Sequence, residues 1–463
     1  MKRNLCLTAI LGCGISACTP IGPDYRTPGI EVPASYVDGS SGALENAATR
    51  AWWSALGDRT LDDIVAIGLR QNLDVRAATE RISAARARLA RTGVPAQIGG
   101  DLSLNARRGE VENAGVENES FGAADASFVF DLFGRFARER QAAAADLEAV
   151  QFDAGTVRLA YLAEVIDAYN QARYFQAAAA ITRDSIAGRR QTLDLVERRV
   201  EVGEATALEQ AQARSLLATA EASLPILIGR YEENVFRIAT LLGEPGATIK
   251  ARLDRGGPQP RPRGQPDIGV PADVLRNRPD VRAAERSLAS ATAAIGIAEA
   301  ELYPSLALSG AVTAGDRESW SFGPFLTLPV FNQPTLRANR RIAQSTAREA
   351  ELIWRSSVLT AVEETQAALS LSRQWARQTA AFQRAVDAAT DLRDLSREAY
   401  DAGQATVLDL IDAERGIADN RLSLAGSLRN WTSSYVQLQV GAGKGWLVGV
   451  EEFYVISDAS SGR

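Results

Sequence analysis

The sequence predicts a mainly α-helical protein carrying a membrane β-barrel, built as a duplicated repeat of helix, strand, strand, long helix and return helix. Three observations carry this. An internal repeat of about 200 residues aligns Leu69-Arg70-Gln71-Asn72-Leu73-Asp74-Val75-Arg76 with Leu275-Arg276-Asn277-Arg278-Pro279-Asp280-Val281-Arg282, and Gly203-Glu204-Ala205-Thr206 with Gly403-Gln404-Ala405-Thr406. Each half contains a proline-free, alanine-rich stretch far longer than an ordinary globular helix. No segment after residue 18 reaches the roughly 18 consecutive apolar residues of a spanning helix, so any membrane crossing must be made by strands.

The chain starts with Lys2-Arg3, an apolar stretch from Leu5 to Ile15, and Ile15-Ser16-Ala17-Cys18. A charged start, a short apolar core and small residues before a cysteine form an export signal over 1–17. The cysteine context resembles a bacterial lipobox, which implies cleavage before Cys18 and acylation of its thiol. Thr19 in place of Asp, by the same resemblance, favours the outer membrane. Residues 18–60 then read as an acylated, extended N-terminal segment.

The first repeat covers 61–242. It opens with an Ala- and Arg-rich helix over Leu61–Ala96, followed by strand-like segments of alternating polarity at about 99–107 and 123–132. Between them Arg108–Gly122, acidic and rich in Asn and Gly, reads as a solvent loop. A long helix is expected over about 136–202, spanning roughly 100 Å at 1.5 Å per residue, with apolar residues at coiled-coil spacing from Leu147 through Tyr161. The segment 243–271, dense in Gly, Pro and Arg, reads as an extended connector. The second repeat covers 272–440, with a helix over Asp280–Leu302, strands at about 304–313 and 321–331 and a long helix at about 337–402. A tail of 441–463 closes the chain. Gly203 and Gly403 end the long helices, and Thr206-x-x-Glu209 and Thr406-x-x-Asp409 are capping boxes that start the return helices, so each glycine marks a hairpin tip.

The residue inventory restricts function sharply. The 463 residues include no histidine, and Lys+Arg 51 against Asp+Glu 57 gives a net charge of -6. Histidine-based nucleophile systems and metal sites are excluded, and an acidic chain without a basic block is not a nucleic-acid binder. The three cysteines all lie in the first 18 residues, so they frame no disulfide scaffold. Glu363-Glu364 cannot flank one glycosidic bond from adjacent helix positions, and Gly441-Ala442-Gly443-Lys444-Gly445 lacks phosphate-loop spacing. Asp131-Leu132-Phe133-Gly134-Arg135 reads as a strand-to-helix junction. No enzyme activity and no cofactor are expected.

Four strands cannot close a barrel, and strands in lipid must pair every backbone group. A symmetric oligomer sharing one barrel satisfies that requirement; a soluble sheet packed on the helices is the other possibility. At this point Gly22-Pro23-Asp24-Tyr25, Trp52-Trp53, Phe130-Asp131-Leu132-Phe133-Gly134-Arg135, Arg278-Pro279-Asp280-Val281-Arg282, Tyr303-Pro304-Ser305, Leu328-Pro329-Val330-Phe331 and Tyr400-x-x-Gly403 together resemble the TolC-like outer membrane efflux proteins, in the lipoprotein branch called the NodT family. The resemblance implies a homotrimer with a 12-stranded β-barrel in the outer membrane and a long periplasmic α-helical barrel. It implies an exit duct for a resistance-nodulation-division pump of the inner membrane, joined through a periplasmic adaptor, with the lipid anchor at Cys18. A lipid-anchored periplasmic coiled-coil scaffold without a pore is the alternative.

Adaptor docking is expected at the tips, with Gly203, Gly403, Arg198, Arg199 and Arg397. The resemblance also places the second tip at the periplasmic entrance. There the two repeats differ: Tyr400 stands where the first has Val200, and Asp412 where it has Gln212. Asp409 and Asp412, one helical turn apart, would form acidic rings under threefold symmetry, and Tyr400 is expected to hydrogen-bond Glu209 on the neighbouring hairpin and hold the entrance shut.

Overall fold

Asp58 starts the first helix, α1 (Arg59–Gln71), because its carboxylate accepts the Thr60 and Leu61 backbone N–H groups at 2.9 and 3.3 Å. Leu61, Ile64, Val65 and Gly68, spaced three and four apart, are the buried stripe of this helix. The computed structural model describes residues 20–37, 39, 44, 46–111, 115–264, 268–316 and 318–449. The expected signal segment 1–17, Cys18 and the end of the tail from 450 lie outside the described residues, and among the described residues no helix is long and apolar enough to cross a membrane.

The single opening helix expected over Leu61–Ala96 is instead two, α1 and α2 (Leu73–Ala90). Asn72 divides them. Its backbone is extended at ψ 130°, its side-chain oxygen accepts the Asp74 and Val75 N–H groups, and its amide donates to Leu241 O at 2.9 Å. A side chain that caps the next helix competes with helix continuation, which the apolar periodicity alone does not reveal.

The strands are β1 (Leu102–Val111), β2 (Gly115–Phe130), β3 (Ser305–Gly315) and β4 (Ser319–Thr327), each antiparallel to the next. The first hairpin is longer than expected: Arg108–Gly122 is not a loop, because the pairing Leu102↔Ala124 continues without slip to Val111↔Gly115. Polar residues do not end a strand whose ladder stays in register. Below Leu102 the same register extends through Asp101 and Asp125, which exchange backbone hydrogen bonds at 2.9 and 3.1 Å, to Ile98↔Phe128. The repeats join where Phe130 pairs with Leu306. Pro324 sits in β4, whose described pairing is with β3 alone, the edge position that tolerates a missing N–H.

Both long helices run close to the expected limits: α3 (Arg135–Glu201) has 67 residues, and its counterpart in the second repeat, Gln333–Asp401, has 69. Asp131 opens α3, its two carboxylate oxygens accepting Phe136 N at 3.1 Å and Ala137 N at 2.9 Å. The return helix α4 (Ala207–Leu242) ends at Gly243, whose φ of 67° is the left-handed cap.

The connector 243–271 is not extended throughout. It begins with a short helix, Gly246–Leu253, and ends in a 3-10 turn, Pro271–Asp273. Its middle is strapped down by Gln259 donating to Ala425 O at 3.0 Å and Thr432 donating to Pro260 O at 2.7 Å. The second repeat then supplies α5 (Pro279–Ala300), α6 (Gln333–Asp401) and α7 (Val407–Gly441). After α7 the Gly-rich turn serves packing: Trp446 is buried, donates from its ring to Asn277 O at 3.1 Å, and lies where a Cβ on Gly155 would stand 2.6 Å from its ring.

The chain divides into two compact units, one of Met1–Glu31, Thr79–Asp153 and Asp280–Val358, holding the sheet, the other of Val32–Ala78, Ala154–Pro279 and Leu359–Arg463. The second has a core of Leu61, Ile64, Leu162, Ile166, Tyr169, Ile238 and Leu242.

Candidate functional site

Two features of these units bear on function, the faces of the sheet and the tips of the hairpins. Because side chains alternate along a strand, the register sorts them into two sets. Leu102, Leu104, Ala124, Phe128, Leu306, Leu308, Val312, Trp320, Phe322 and Leu326 share one face; Asp101, Ser103, Asn105, Asp125, Ser127, Ser309, Thr313 and Ser321 share the other. Phe121, Val129 and Phe325 break the rule on the polar face, and Arg108, Asn118 and Ser120 break it on the apolar face towards the β1–β2 turn. Large side chains on the apolar face stand uncovered in the protomer, Leu104 83% and Trp320 81% exposed. A soluble sheet buries its apolar face; this one presents it, as a lipid-facing strand does.

At the tips, α3 stops because Gly203 takes φ 79° and α6 because Gly403 takes φ 73°, with Glu204 N donating to Arg199 O and Gln404 N to Ala399 O, each at 2.8 Å. No atom lies within 4 Å of a Cβ built on either glycine, so the left-handed backbone, not crowding, requires them. Both expected capping boxes form. Glu209 accepts Thr206 N at 2.7 Å, and Asp409 accepts Thr406 N at 2.8 Å. The hydroxyl and backbone N–H of Thr406 hold the Asp409 carboxyl below the usual carboxylate range.

The tips pack on one another through Val196, Ala213, Tyr400, Val407, Leu410 and Ile411. Tyr400 is 4% exposed, and burial raises its phenol. Within the protomer the Tyr400 side chain is covered by Arg199, and the nearby Glu209 charge helps to raise its phenol. The Arg199 guanidinium lies 4.2 Å from the Tyr400 ring centre and donates to the Tyr400 carbonyl at 3.2 Å. Glu209 is held at its own helix start by Thr206, whose N–H and hydroxyl both donate to one carboxylate oxygen. Arg199, expected at the docking surface, lies over the Tyr400 ring. Arg198 is exposed and Arg397 half-buried, while Asp409 and Asp412 are both exposed on α7.

Sequence reasoning missed the polar ties behind the tips. Thr192 donates to Glu414 at 2.9 Å across 222 positions, and Glu197 accepts from Gln210 at 3.2 Å and Arg214 at 3.3 Å. The wide separation of Thr192 and Glu414 leaves no local signal, whereas Glu197 could have been found by folding the hairpin about Gly203.

The sequence model of a family described as outer membrane efflux protein matches residues 65–244 and 270–444. Nodulation protein T of Rhizobium leguminosarum bv. trifolii is 33% identical over 447 residues, 93% of this chain and 95% of the relative. The pyoverdine export outer membrane protein OpmQ of Pseudomonas putida is 30% identical, with 96% of this chain and 98% of the relative covered. Among solved structures the outer-membrane channel OprN superposes with a TM-score of 0.82 at 29% identity, covering 92% of this chain and all of its own.

Proposed function

Because the chain belongs to the outer membrane efflux protein family and is an outer membrane channel for efflux, we propose that it works as a homotrimeric exit duct, each protomer giving four strands to a 12-stranded barrel. The observation that carries this is the sheet: apolar and uncovered on one face, polar on the other, with β1 and β4 each paired on one side only among the described residues. In lipid such edges must find partners. Three copies supply them and enclose the polar face as a lumen, above the roughly eight strands with which barrels begin.

The helices then extend the duct into the periplasm. Gly203 and Gly403, flanked by Arg198 and Arg397, form the surface for a periplasmic adaptor that couples the duct to an inner-membrane resistance-nodulation-division pump. The Arg199–Tyr400 lid closes the entrance, and Asp409 and Asp412 give it cation preference. Cys18 carries the lipid anchor. Conduction is passive and needs no chemical step; the pump chooses the exported small molecules.

Particle mass in detergent and conductance in planar bilayers test the assignment together. A trimer with discrete channels is expected. A stable monomer that conducts nothing would overturn the duct in favour of a lipid-anchored periplasmic scaffold.

A further inference from the structure

Arg138 lies one turn into α3 with its side chain 4% exposed, and Asp24, with which it forms an ion pair, is 83% exposed. Three further hydrogen bonds go to main chain and one to a side chain. Nε donates to Ile21 O at 3.0 Å, and Nη2 to Gly22 O at 3.0 Å and Pro20 O at 3.3 Å, while Nη1 meets Asp24 at 3.0 Å and Gln141 at 2.8 Å. A rigid five-donor fork that holds three successive carbonyls is a receptor for a strand of backbone.

Glycines make room for that strand. A Cβ on Gly134 would stand 2.4 Å from Pro20 Cα, one on Gly22 2.5 Å from Gly296 Cα, and one on Gly296 2.9 Å from the Arg138 stem. Ile21 N donates to Phe133 O at 3.2 Å, tying the strap to the strand-to-helix junction. Further along, Tyr25 and Thr27 both donate to Glu285, at 3.1 and 2.9 Å, and Arg286 covers the Tyr25 ring. Without the strap Arg138 would be a buried charge left with Gln141 and no acidic partner from residues 20–24, which is strongly unfavourable. Strap and junction therefore stabilise each other.

We propose that Arg138 is the latch of the lipid anchor, a positioning residue that clamps residues 20–24 to the junction below β2 and so fixes where the acyl chains of Cys18 enter the membrane. One residue, Thr19, separates Cys18 from Pro20, so chain length alone keeps their Cα atoms within about 7 Å of each other. The latch rests on the reading of Cys18 as the anchor. It makes the anchor bear on the start of α3 instead of on a free tether, and so ties the sheet to a set depth.

A nitroxide on Arg26→Cys in the full-length, membrane-extracted protein tests this, since Cys18 is the one cysteine of the mature chain and acylation blocks its thiol. The label is expected to be immobile when Arg138 is present and to move roughly tenfold faster in Arg138→Gln and in Gly296→Leu, which fills the groove without removing a donor. Palmitate incorporation and outer membrane fractionation should stay unchanged in both. Asp24→Asn, at an exposed position that folding does not need, should give a smaller increase and decides the matter if the other two variants assemble poorly. A label equally immobile in all three variants overturns the latch. An immobile label on a chain that takes up no palmitate overturns the anchor reading instead and leaves the strap as a structural contact.

Discussion

At the first hairpin tip Thr206 caps its helix with Glu209 and at the second Thr406 does so with Asp409, yet position 200 is a half-buried valine while its counterpart, Tyr400, is buried beneath the Arg199 guanidinium. The same backbone device is used twice and loaded differently. Gly203 and Gly403 hold nearly the same φ and neither is crowded by neighbours. Duplication thus preserved what terminates a helix and released what lies one turn away. The first tip lends an arginine and the second supplies the ring it covers, where the two hairpins meet.

The comparison breaks first at the glycines. Replacing either Gly203 or Gly403 with Trp places a large side chain on a left-handed backbone, costing about 1–2 kcal/mol locally, and on the surface assigned to the adaptor. Efflux in a susceptibility assay should be lost for both while trimer yield stays at the parent level. If transport survives in both, the tips are not the docking surface.

A smaller, asymmetric effect is expected one turn back. Tyr400→Ala removes a ring from the cluster of Val196, Leu410 and Ile411, a loss on the order of 3 kcal/mol for a buried aromatic, and should raise open probability in single-channel recordings. Arg199→Ala should raise it as well, and Val200→Ala should not. Tyr400→Phe, which keeps the ring under Arg199, should stay near the parent. A strong opening by Tyr400→Phe would return the closing interaction to the hydroxyl.

The smallest effect concerns charge. Asp412 is exposed on α7 where the first repeat has Gln212, so Asp412→Asn should lower cation selectivity modestly, read as a shift of reversal potential in a salt gradient. Gln212→Asp should not reproduce that ring if only the second tip lines the entrance. Equal shifts from the two substitutions would place both tips in the conduction path.

How far the sequence reaches differs between these regions for physical reasons. Gly203, Thr206 and Glu209 act within one turn, so their spacing alone states the cap, and the second copy repeats it. The loop expected at Arg108–Gly122 failed because a strand is recognised by its alternation, and Arg108, Asn118 and Ser120 on the otherwise apolar face erase that signal while the ladder continues. The helix expected over Leu61–Ala96 failed at Asn72, whose side chain caps α2 and also donates to Leu241, 169 positions away. The Pro- and Arg-rich connector was legible as irregular, yet its contacts to Ala425 and Thr432 were not.

By itself the sequence determined the duplicated plan, the strand–strand–long helix order, the hairpin tips and the lack of histidine chemistry, because each is a matter of local spacing, propensity or composition. Only the tertiary structure decided that Arg199 covers the Tyr400 ring, that Arg138 receives residues 20–24, and that the four strands pair in one register. Those outcomes depend on which groups the packing brings within hydrogen-bond or ring-contact distance across about 100 to 200 intervening residues, and loop-closure entropy, rising only slowly with separation, leaves no trace of the chosen partner in the local sequence.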